Sequence, residues 1–372
     1  MRIGAPKEIK DNEYRVSLTP SSVAELVHAG HVVLIEKGAG EGAGLADQDY
    51  ARAGAILVDA AEELFSSIEL IVKVKEPQPR EVGLLRPGHV LFTYLHLAAD
   101  AALTRALMES GAACVAYETV TAPSGQLPLL APMSEIAGRL APQVGARFLE
   151  KEEGGRGVLL AGAPGVPSAE VLILGAGSVG AQAAAIALGM GASVLVADRN
   201  TDALRRLEAR FGSAVRTIYS TRTSIAETIK RADLVVCAAL TPGARAPTLV
   251  TREMLGTMKR GAVIVDVAID QGGCCETSRP TTHSEPVYVV DGVVHYCVTN
   301  MPGVVPRTST FALNNATLPF ILAIAEKGWR AALRDDPHLR AGLQLIDGRV
   351  VSAPVAAAHG LPFSPDSNFL GD

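Results

Sequence analysis

Short apolar runs alternate with longer segments of helical periodicity along most of the chain. This alternation is typical of β-α-β units that build a parallel sheet. In the first third, strands are predicted at residues 1–5, 31–36, 70–75, 90–95 and 113–117, with helices between them at 21–29 and 99–110. A second series of predicted strands follows, at residues 171–174, 193–198, 233–239 and 261–269.

Two long helical segments interrupt these series. The first is predicted at 132–151 despite an internal Pro142, and the second begins after Pro306. The simplest architecture is an α/β protein with two Rossmann-like, doubly wound parallel-sheet domains joined by long helices. The first domain comprises residues 1–130 and 307–372, and the second comprises residues 131–306. Ligands of such proteins commonly bind between domains, so the active site is expected in the interdomain cleft.

A glycine-rich turn opens the second series. The predicted strand 171–174 leads into Gly175-Ala-Gly177-Ser-Val-Gly180, a helix of small residues follows, and the next strand ends at Asp198, 18 residues after Gly180. This order is the fingerprint of a dinucleotide site, in which the glycines permit a tight turn, close approach to the pyrophosphate and close helix packing. The terminal carboxylate would accept hydrogen bonds from ribose hydroxyls and repel a 2′-phosphate, so NAD is the expected cofactor.

Composition narrows the class of protein further. With 372 residues, 48% hydrophobic residues and a net charge of -5, the chain has material for large cores and no basic surface that would favour nucleic acid or an anionic membrane. The charged N-terminus lacks the apolar region of a signal peptide, which favours a cytoplasmic location. Five cysteines follow neither a disulfide framework nor zinc-ligand spacing, so reduced thiols and no metal site are expected, with Cys274-Cys275 as a less favoured redox pair.

Four ionisable residues lie at or beyond the predicted ends of strands. Lys75, His96 and Asp270 each end an apolar run, and Arg15 lies in the loop after the first strand. Open α/β sheets bind ligands outside the carboxyl ends of their strands, which makes these four residues candidates for a site.

Each candidate also has a purely structural interpretation. Lys75 suits a solvated strand end, His96 suits a helix cap or a core hydrogen bond, and Asp270 suits an ordinary turn. Arg15 could pair with the nearby Glu13 at the surface. The four together, in a chain with a dinucleotide fingerprint, favour a functional role.

Hydride transfer from a small amino or hydroxy acid needs this set of side chains. Arginine binds a carboxylate through two parallel hydrogen bonds, and a second cation can polarise a carbonyl. Histidine can exchange a proton near neutral pH. A carboxylate can orient water or stabilise a cationic imine. The residues alone therefore indicate a dehydrogenase of small carboxylates, without choosing between the two substrate types.

Longer strings narrow that choice. They are GAPKEIKDNEYRVSLTP, VKVKEPQP, YLHLA, VLILGAGSVG, VDVAIDQGGCCETSRPTTHSEPVY and VTNMPGVVPRTSTFALNNATLP. Together they resemble the alanine dehydrogenase family over nearly the whole chain. The resemblance implies reversible oxidative deamination of L-alanine to pyruvate and ammonia, through iminopyruvate and with hydride transfer to NAD. It also implies a homo-oligomer, commonly a hexamer.

The same resemblance implies a role for each candidate. Arg15 and Lys75 would bind the substrate carboxylate or carbonyl, with Tyr94 and Met133 nearby. His96 would act as acid and base. Asp270 would support water attack and the proton relay and would also contact the cofactor, and the further cofactor residues would be Ser134, Ser220, Val267, Asn300 and Met301.

Three other functions share this fold. The nearest is the NAD(H)-binding module of the transhydrogenase α chain, a binding protein coupled to transport. The others are an opine- or saccharopine-type dehydrogenase, which needs room for a larger second substrate, and a regulatory NAD sensor. The complete set Arg15, Lys75, His96 and Asp270, in a sequence without evident membrane helices, favours the dehydrogenase.

Overall fold

The computed structural model describes residues 1–239 and 246–370. The chain divides into two units, each with its own sheet and core. Unit 1 comprises Met1–Met133 and Gly303–Asp372, and unit 2 comprises Ser134–Pro302.

The strands are numbered in chain order. They are β1 (Arg2–Ala5), β2 (Val32–Glu36), β3 (Ile56–Val58), β4 (Leu70–Val72), β5 (Val90–Thr93), β6 (Ala113–Ala116), β7 (Glu170–Leu174), β8 (Ser193–Asp198), β9 (Val215–Tyr219), β10 (Leu234–Cys237), β11 (Val263–Asp266), β12 (Val287–Val290), β13 (Val293–Tyr296), β14 (Leu343–Ile346) and β15 (Arg349–Val350).

The α-helices are numbered in the same way. They are α1 (Pro20–His28), α2 (Asp47–Arg52), α3 (Ala61–Ser67), α4 (Pro79–Val82), α5 (Ala101–Ser110), α6 (Ala131–Phe148), α7 (Ser178–Gly189), α8 (Thr201–Phe211), α9 (Arg222–Ile229), α10 (Arg252–Leu255), α11 (Pro306–Lys327), α12 (Trp329–Asp335), α13 (Pro337–Arg340), α14 (Ala353–His359) and α15 (Ser367–Leu370).

The sheet of unit 1 has the order β15-β14-β6-β5-β4-β1-β2-β3. Strands β1 to β6 are parallel, and β14 pairs antiparallel with β6 and β15. The chain builds outward from β1 in one direction and from β4 in the other, so the strand order reverses between these two central strands. Such a reversal is where ligands bind in open α/β sheets.

The sheet of unit 2 repeats this plan with the order β12-β13-β11-β10-β7-β8-β9. Its strand order reverses between β7 and β10. Among the described strands of unit 2, the pairs are parallel except for β12 with β13, which is antiparallel. Both units therefore confirm the predicted α/β architecture, although each sheet is mixed rather than wholly parallel.

The central strands are shorter than the apolar runs predicted. Strand β4 ends at Val72 and not at residue 75, and β5 ends at Thr93 and not at residue 95. Strand β11 ends at Asp266, and a 3₁₀ helix covers Val267–Gln271. Buried apolar side chains continue beyond these strand ends into the connections, which is why hydrophobicity overestimated the strand lengths.

Two long apolar segments have different structures. The uncharged run 171–197, long enough to cross a bilayer, is divided among β7, α7 and β8. Helix α11 is the one described helix that meets the length and hydropathy of a membrane span. It packs in unit 1 through buried residues that include Asn314, whose side-chain oxygen accepts hydrogen bonds from Thr19 and Ser22.

Candidate active site

Arg15 is buried in the loop after β1, with its side chain 1% exposed. Its Nε and Nη2 donate to the two carboxylate oxygens of Glu13 at 2.6 and 2.5 Å, and its Nη1 donates to Met133 Sδ at 3.0 Å. Burial opposes the charge, but the hydrogen bonds and charge of Glu13 outweigh it and raise the pKa of the guanidinium. The pair with Glu13 is therefore an internal one, and the interpretation of Arg15 as a surface residue is wrong.

Two lysines of the connection after β4 differ in their surroundings. Lys73 is fully buried and forms ion pairs with Glu8 at 3.0 Å and Glu81 at 2.7 Å, so its charge is neutralised inside unit 1. Burial opposes its charge, but both carboxylates outweigh this and raise its pKa. Lys75 is half-buried three residues beyond the end of β4. Glu8 also accepts the backbone N–H groups of Val74 and Lys75, at 2.7 and 3.4 Å, so the buried ion cluster fixes the backbone that carries Lys75.

His96 lies three residues beyond the end of β5, in the left-handed backbone region with φ of 52°. Its imidazole is half-exposed and stacks on the ring of Tyr94, with centroids 5.9 Å apart and planes 4° apart. Tyr94 is buried, and its hydroxyl donates to the carbonyl of Leu129 at 2.5 Å. Burial raises the pKa of Tyr94 well above its usual value, so its hydroxyl stays protonated and acts as a fixed donor.

Four predicted residues of unit 1 thus lie in two adjoining contacts. Arg15 contacts Met133, and Tyr94 stacks on His96. The charge of Arg15 also acts on Tyr94, which connects the two contacts. A guanidinium, an apolar thioether and an accessible imidazole on a protonated phenol suit a small substrate with a carboxylate and an exchangeable proton.

The glycine-rich turn of unit 2 joins β7 to the N-terminus of α7. Gly175 has φ of 115°, and a Cβ there would lie 2.7 Å from the carbonyl carbon of Ala238. A Cβ on Gly180 would overlap the carbonyl oxygen of Gly175, whereas a Cβ on Gly177 would meet open space. Gly177 is the N-cap of α7 and gives it no side-chain cap, so the first amides of the helix are not capped by a side chain. This cradle fits a pyrophosphate.

Asp198 ends β8 and is connected to the same turn. Its Oδ2 accepts the N–H of Ala176 at 2.5 Å, and its Oδ1 accepts the N–H of Asn200 at 2.7 Å. Its backbone carbonyl accepts the N–H of Ser220, a buried residue that follows β9. The three predicted cofactor elements, namely the glycines, Asp198 and Ser220, are therefore adjacent at the carboxyl ends of β7, β8 and β9.

Asp270 is exposed in the 3₁₀ helix after β11, four residues beyond the strand, and not at its end. The residue at the strand end is Asp266, which is fully buried. Its carboxylate accepts Cys274 N at 2.8 Å and Ser278 Oγ at 2.6 Å. Burial outweighs these hydrogen bonds and raises the pKa of Asp266. Asp266 thus fixes the loop that carries Asp270, while Val267, half-buried, begins the intervening turn.

The remaining cofactor candidates lie at the ends of unit 2. Asn300 adopts a left-handed backbone with φ of 58°, and its carbonyl contacts His283 Nε2 at 3.2 Å. Met301 is buried at the start of a 3₁₀ helix, Met301–Val304. Ser134 is half-buried in the first turn of α6. These placements leave the cofactor role of all three residues a prediction.

Sequence reasoning missed three supporting carboxylates. Glu13 was considered only as a surface partner, whereas Glu118 and Asp266 were not considered. Glu118 lies two residues beyond the end of β6 and Asp266 ends β11, so the rule that selects Lys75 and His96 also selects these residues once the strand ends are known.

The cysteines and possible metal ligands complete the picture. All five cysteines are buried free thiols, and burial raises the pKa of Cys275. Within residues 1–239 and 246–370, three or more histidine, cysteine or carboxylate side chains nowhere converge in a way that could hold a metal ion.

Two family models together cover most of the chain. The model "Alanine dehydrogenase/PNT, N-terminal domain" matches residues 4–137, and "Alanine dehydrogenase/PNT, C-terminal domain" matches residues 141–353. The chain therefore belongs to the alanine dehydrogenase/PNT family.

Individual relatives indicate the branch of that family. The chain is 56% identical to an alanine dehydrogenase of Halomonas elongata over 371 residues, which covers 100% of both chains. A solved L-alanine dehydrogenase superposes with a TM-score of 0.94 at 53% identity, covering 97% of this chain and 99% of that one. A transhydrogenase of Sinorhizobium meliloti gives a TM-score of 0.81 at 28% identity, covering 95% and 99%.

Proposed function

We propose that this chain catalyses the reversible oxidative deamination of L-alanine by NAD. In the oxidative direction, L-alanine, NAD⁺ and water give pyruvate, ammonia, NADH and a proton. One observation carries the proposal: the contacts of Arg15 with Met133 and of Tyr94 with His96 lie in a chain that is 56% identical, over its whole length, to an alanine dehydrogenase.

Arg15 and Lys75 bind the substrate. Lys75 lies three residues beyond the end of β4, and Arg15 lies in the loop that follows β1, the neighbouring central strand of unit 1. Glu13 holds the guanidinium in one orientation, so little side-chain entropy is lost when a carboxylate binds. Lys75, on a backbone fixed by Glu8, supplies a second positive charge for the carboxylate or the carbonyl oxygen. Tyr94 and Met133 limit the space around the small methyl side chain.

His96 moves the proton. As a base it accepts a proton from the amino group or from the water that attacks iminopyruvate, and in the reverse direction it returns that proton. Its half-exposed imidazole is accessible to a substrate, and the ring of Tyr94 holds its orientation. Asp270, exposed on the 3₁₀ helix of unit 2, orients the attacking water and stabilises the cationic imine.

Residues 131–306 bind the cofactor, and residues 1–130 with 307–372 bind the substrate. When bound, NAD supplies the hydride acceptor. Gly175, Gly177 and Gly180 let the pyrophosphate approach the amides of α7. Asp198 would accept hydrogen bonds from the ribose hydroxyls, and its charge would repel a 2′-phosphate. The further residues that would hold the cofactor are Ser134, Ser220, Val267, Asp270, Asn300 and Met301.

The transhydrogenase-type binding module is the less supported alternative. Of the two solved structures compared above, the transhydrogenase is 28% identical and the L-alanine dehydrogenase is 53% identical.

A substrate panel tests the proposal. The purified protein is incubated with NAD at alkaline pH and L-alanine, D-alanine or L-lactate, and NADH is followed at its absorbance band. Rapid NADH formation with L-alanine alone is expected. Silence with L-alanine together with tight NADH binding would support the binding-module alternative, and turnover of L-lactate would indicate a hydroxy-acid dehydrogenase.

Assembly and location belong to the same proposal. We expect a homo-oligomer, a hexamer by the family resemblance, in the cytoplasm and without nucleic acid or membrane partners. Free buried thiols suit a reducing compartment. Light scattering on the purified protein measures its mass in solution, and a monomer would contradict the expected assembly.

A further inference from the structure

We propose that Glu118 is the positioning residue of His96, holding its turn and setting a negative charge beside the imidazole. This inference rests on the proposed function, in which His96 transfers the proton. Glu118 acts through His96 and is not itself a catalytic residue.

Adjacent strands bring the two residues together. Strands β5 and β6 are parallel neighbours in which Thr93 pairs with Ala116. Leu95 and Glu118 each follow that pair by two residues, so they leave the sheet at the same edge. Tyr117 is fully buried and packs edge-on against Tyr94, with ring centroids 5.1 Å apart, which fixes the start of the Glu118 turn relative to the His96 turn.

The carboxylate of Glu118 supports an unusual backbone. It accepts Leu95 N at 3.3 and 3.2 Å, and its Oε1 accepts His96 N at 2.6 Å. His96 has φ of 52°, a conformation that a residue with a Cβ adopts rarely and keeps only when its surroundings hold it. The short hydrogen bond to the amide of His96 supplies that hold directly. Because the left-handed turn sets where the Cα–Cβ bond points, it also sets where the imidazole lies.

The same oxygen acts on the ring. Glu118 Oε1 lies 3.9 Å from His96 Nδ1, and the glutamate side chain is only 14% exposed. At this distance the carboxylate makes no direct hydrogen bond to Nδ1, but it places its charge beside the ring. The ring of Tyr94 also stacks on the imidazole, and its hydroxyl stays protonated and brings no charge. The charge of Glu118 thus lies beside Nδ1 of the imidazole that transfers the proton in the proposed function.

The experiment compares Glu118→Gln with a double variant. Glutamine keeps an oxygen for the amides but removes the charge. We expect kcat for L-alanine to fall about tenfold, a scale usual for the support of a functional ligand. The KM for L-alanine and the Kd for NADH should stay within about twofold of wild type. In a His96→Ala background, Glu118→Gln should change kcat no further, because two residues acting as one unit are not additive.

Two further variants separate the role of charge from general stability. Glu118→Asp keeps the charge and withdraws it by one methylene, so it should retain more kcat than Glu118→Gln. Asp100→Asn is the matched control, since Asp100 also accepts a nearby backbone N–H, that of Leu103 at 2.9 Å, at the start of α5. It should keep wild-type kcat.

The outcomes that overturn the inference are distinct. Wild-type kcat in Glu118→Gln, or a further tenfold loss in the double variant relative to His96→Ala, would exclude a positioning role. If His96→Ala itself kept wild-type turnover, the assignment of His96 in the proposed function would fail, whatever Glu118 does.

Discussion

The two units have the same sheet plan but use their strand ends differently. In unit 1, buried carboxylates hold charged side chains: Glu13 holds Arg15, and Glu8 holds the backbone of Lys75. In unit 2, the corresponding connection after β7 carries glycines, and Asp198 holds the backbone of the turn itself.

This difference fits the two ligands of the proposed function. A small substrate with one carboxylate needs a few charges fixed in position, and a buried charge is tolerated only with a partner. A dinucleotide is long and its pyrophosphate is bound by backbone amides, so the turn must leave space for it. In the proposed function, one sheet topology thus accommodates two kinds of site, distinguished by the residues in the first connection after the central strand.

The largest effect is expected from Arg15→Met. Removing the guanidinium takes away a buried cation that pairs with Glu13, whose side chain is 0% exposed. Stability should fall by about 3–5 kcal/mol, and the KM for L-alanine should rise about a hundredfold through loss of a buried charge pair with substrate. Chemical denaturation and initial rates measure the two effects. The double variant Arg15→Met/Glu13→Gln should regain stability without activity, and regained activity would contradict the assigned role.

Glycine-to-alanine variants of α7 should separate folding from binding in unit 2. Gly180→Ala forces its Cβ against Gly175 and should cost about 1–3 kcal/mol of stability. Gly177→Ala fills space that is open without ligand, so stability should be unchanged while the Kd for NADH rises about tenfold through lost amide contacts. Gly189→Ala, at the other end of α7 with nothing within 4 Å, is the control and should stabilise by up to about 1 kcal/mol.

A smaller change is expected when Asp198 loses its charge. Asp198→Asn should lower the ratio of kcat/KM for NAD over NADP about tenfold, since one repulsive charge near the 2′ position is worth about 1 kcal/mol or slightly more. Asp198→Gly should relax the preference as well but should also lower the Tm, because it removes the acceptor of Ala176 N. An unchanged cofactor preference in both variants would show that another residue binds the ribose hydroxyls.

The smallest effect concerns the stability of unit 1 in acid, which a buried histidine limits. His89 is buried before β5, and burial with the charge of Arg86 lowers its pKa to about 4. Above the unfolded-state pKa of about 6.5, His89 is neutral in both states and costs no stability. As the pH falls toward 4, the unfolded state binds a proton that the native state does not bind, so the free energy of unfolding falls. His89→Asn should reduce the loss of unfolding free energy between these pH values by about 1–2 kcal/mol. Exposed His28→Asn is the control, and equal curves for His89→Asn and wild type would contradict the prediction.

The sequence predicted the architecture and the cofactor turn more fully than the strand pairings. The apolar runs and Gly175-Ala-Gly177-Ser-Val-Gly180 are local signals, so the central strands and the turn could be located. Two antiparallel hairpins, β12–β13 and β14–β15, were not predicted, although Asp291-Gly292 and Asp347-Gly348 mark their turns. All four turn residues have positive φ, which is the preference of tight hairpins.

The candidate site was predicted only in part for a related reason. Arg15, Lys75 and His96 were found because charged residues stand out against apolar strands. Their partners Glu13 and Glu118 could not be recognised, since a glutamate next to a strand is ordinarily solvated. Only the tertiary structure, which buries Glu13 and pairs β5 with β6, gives these carboxylates their roles.

The central claim is that the charged residues of unit 1 carry the chemistry whereas unit 2 holds the cofactor. His96→Ala tests it most directly, with L-alanine turnover and NADH binding measured on the same protein sample. The account predicts a loss of turnover of about a hundredfold or more, with a Kd for NADH within about twofold of wild type. Wild-type turnover, or a loss of NADH affinity that matches the loss of turnover, would contradict it.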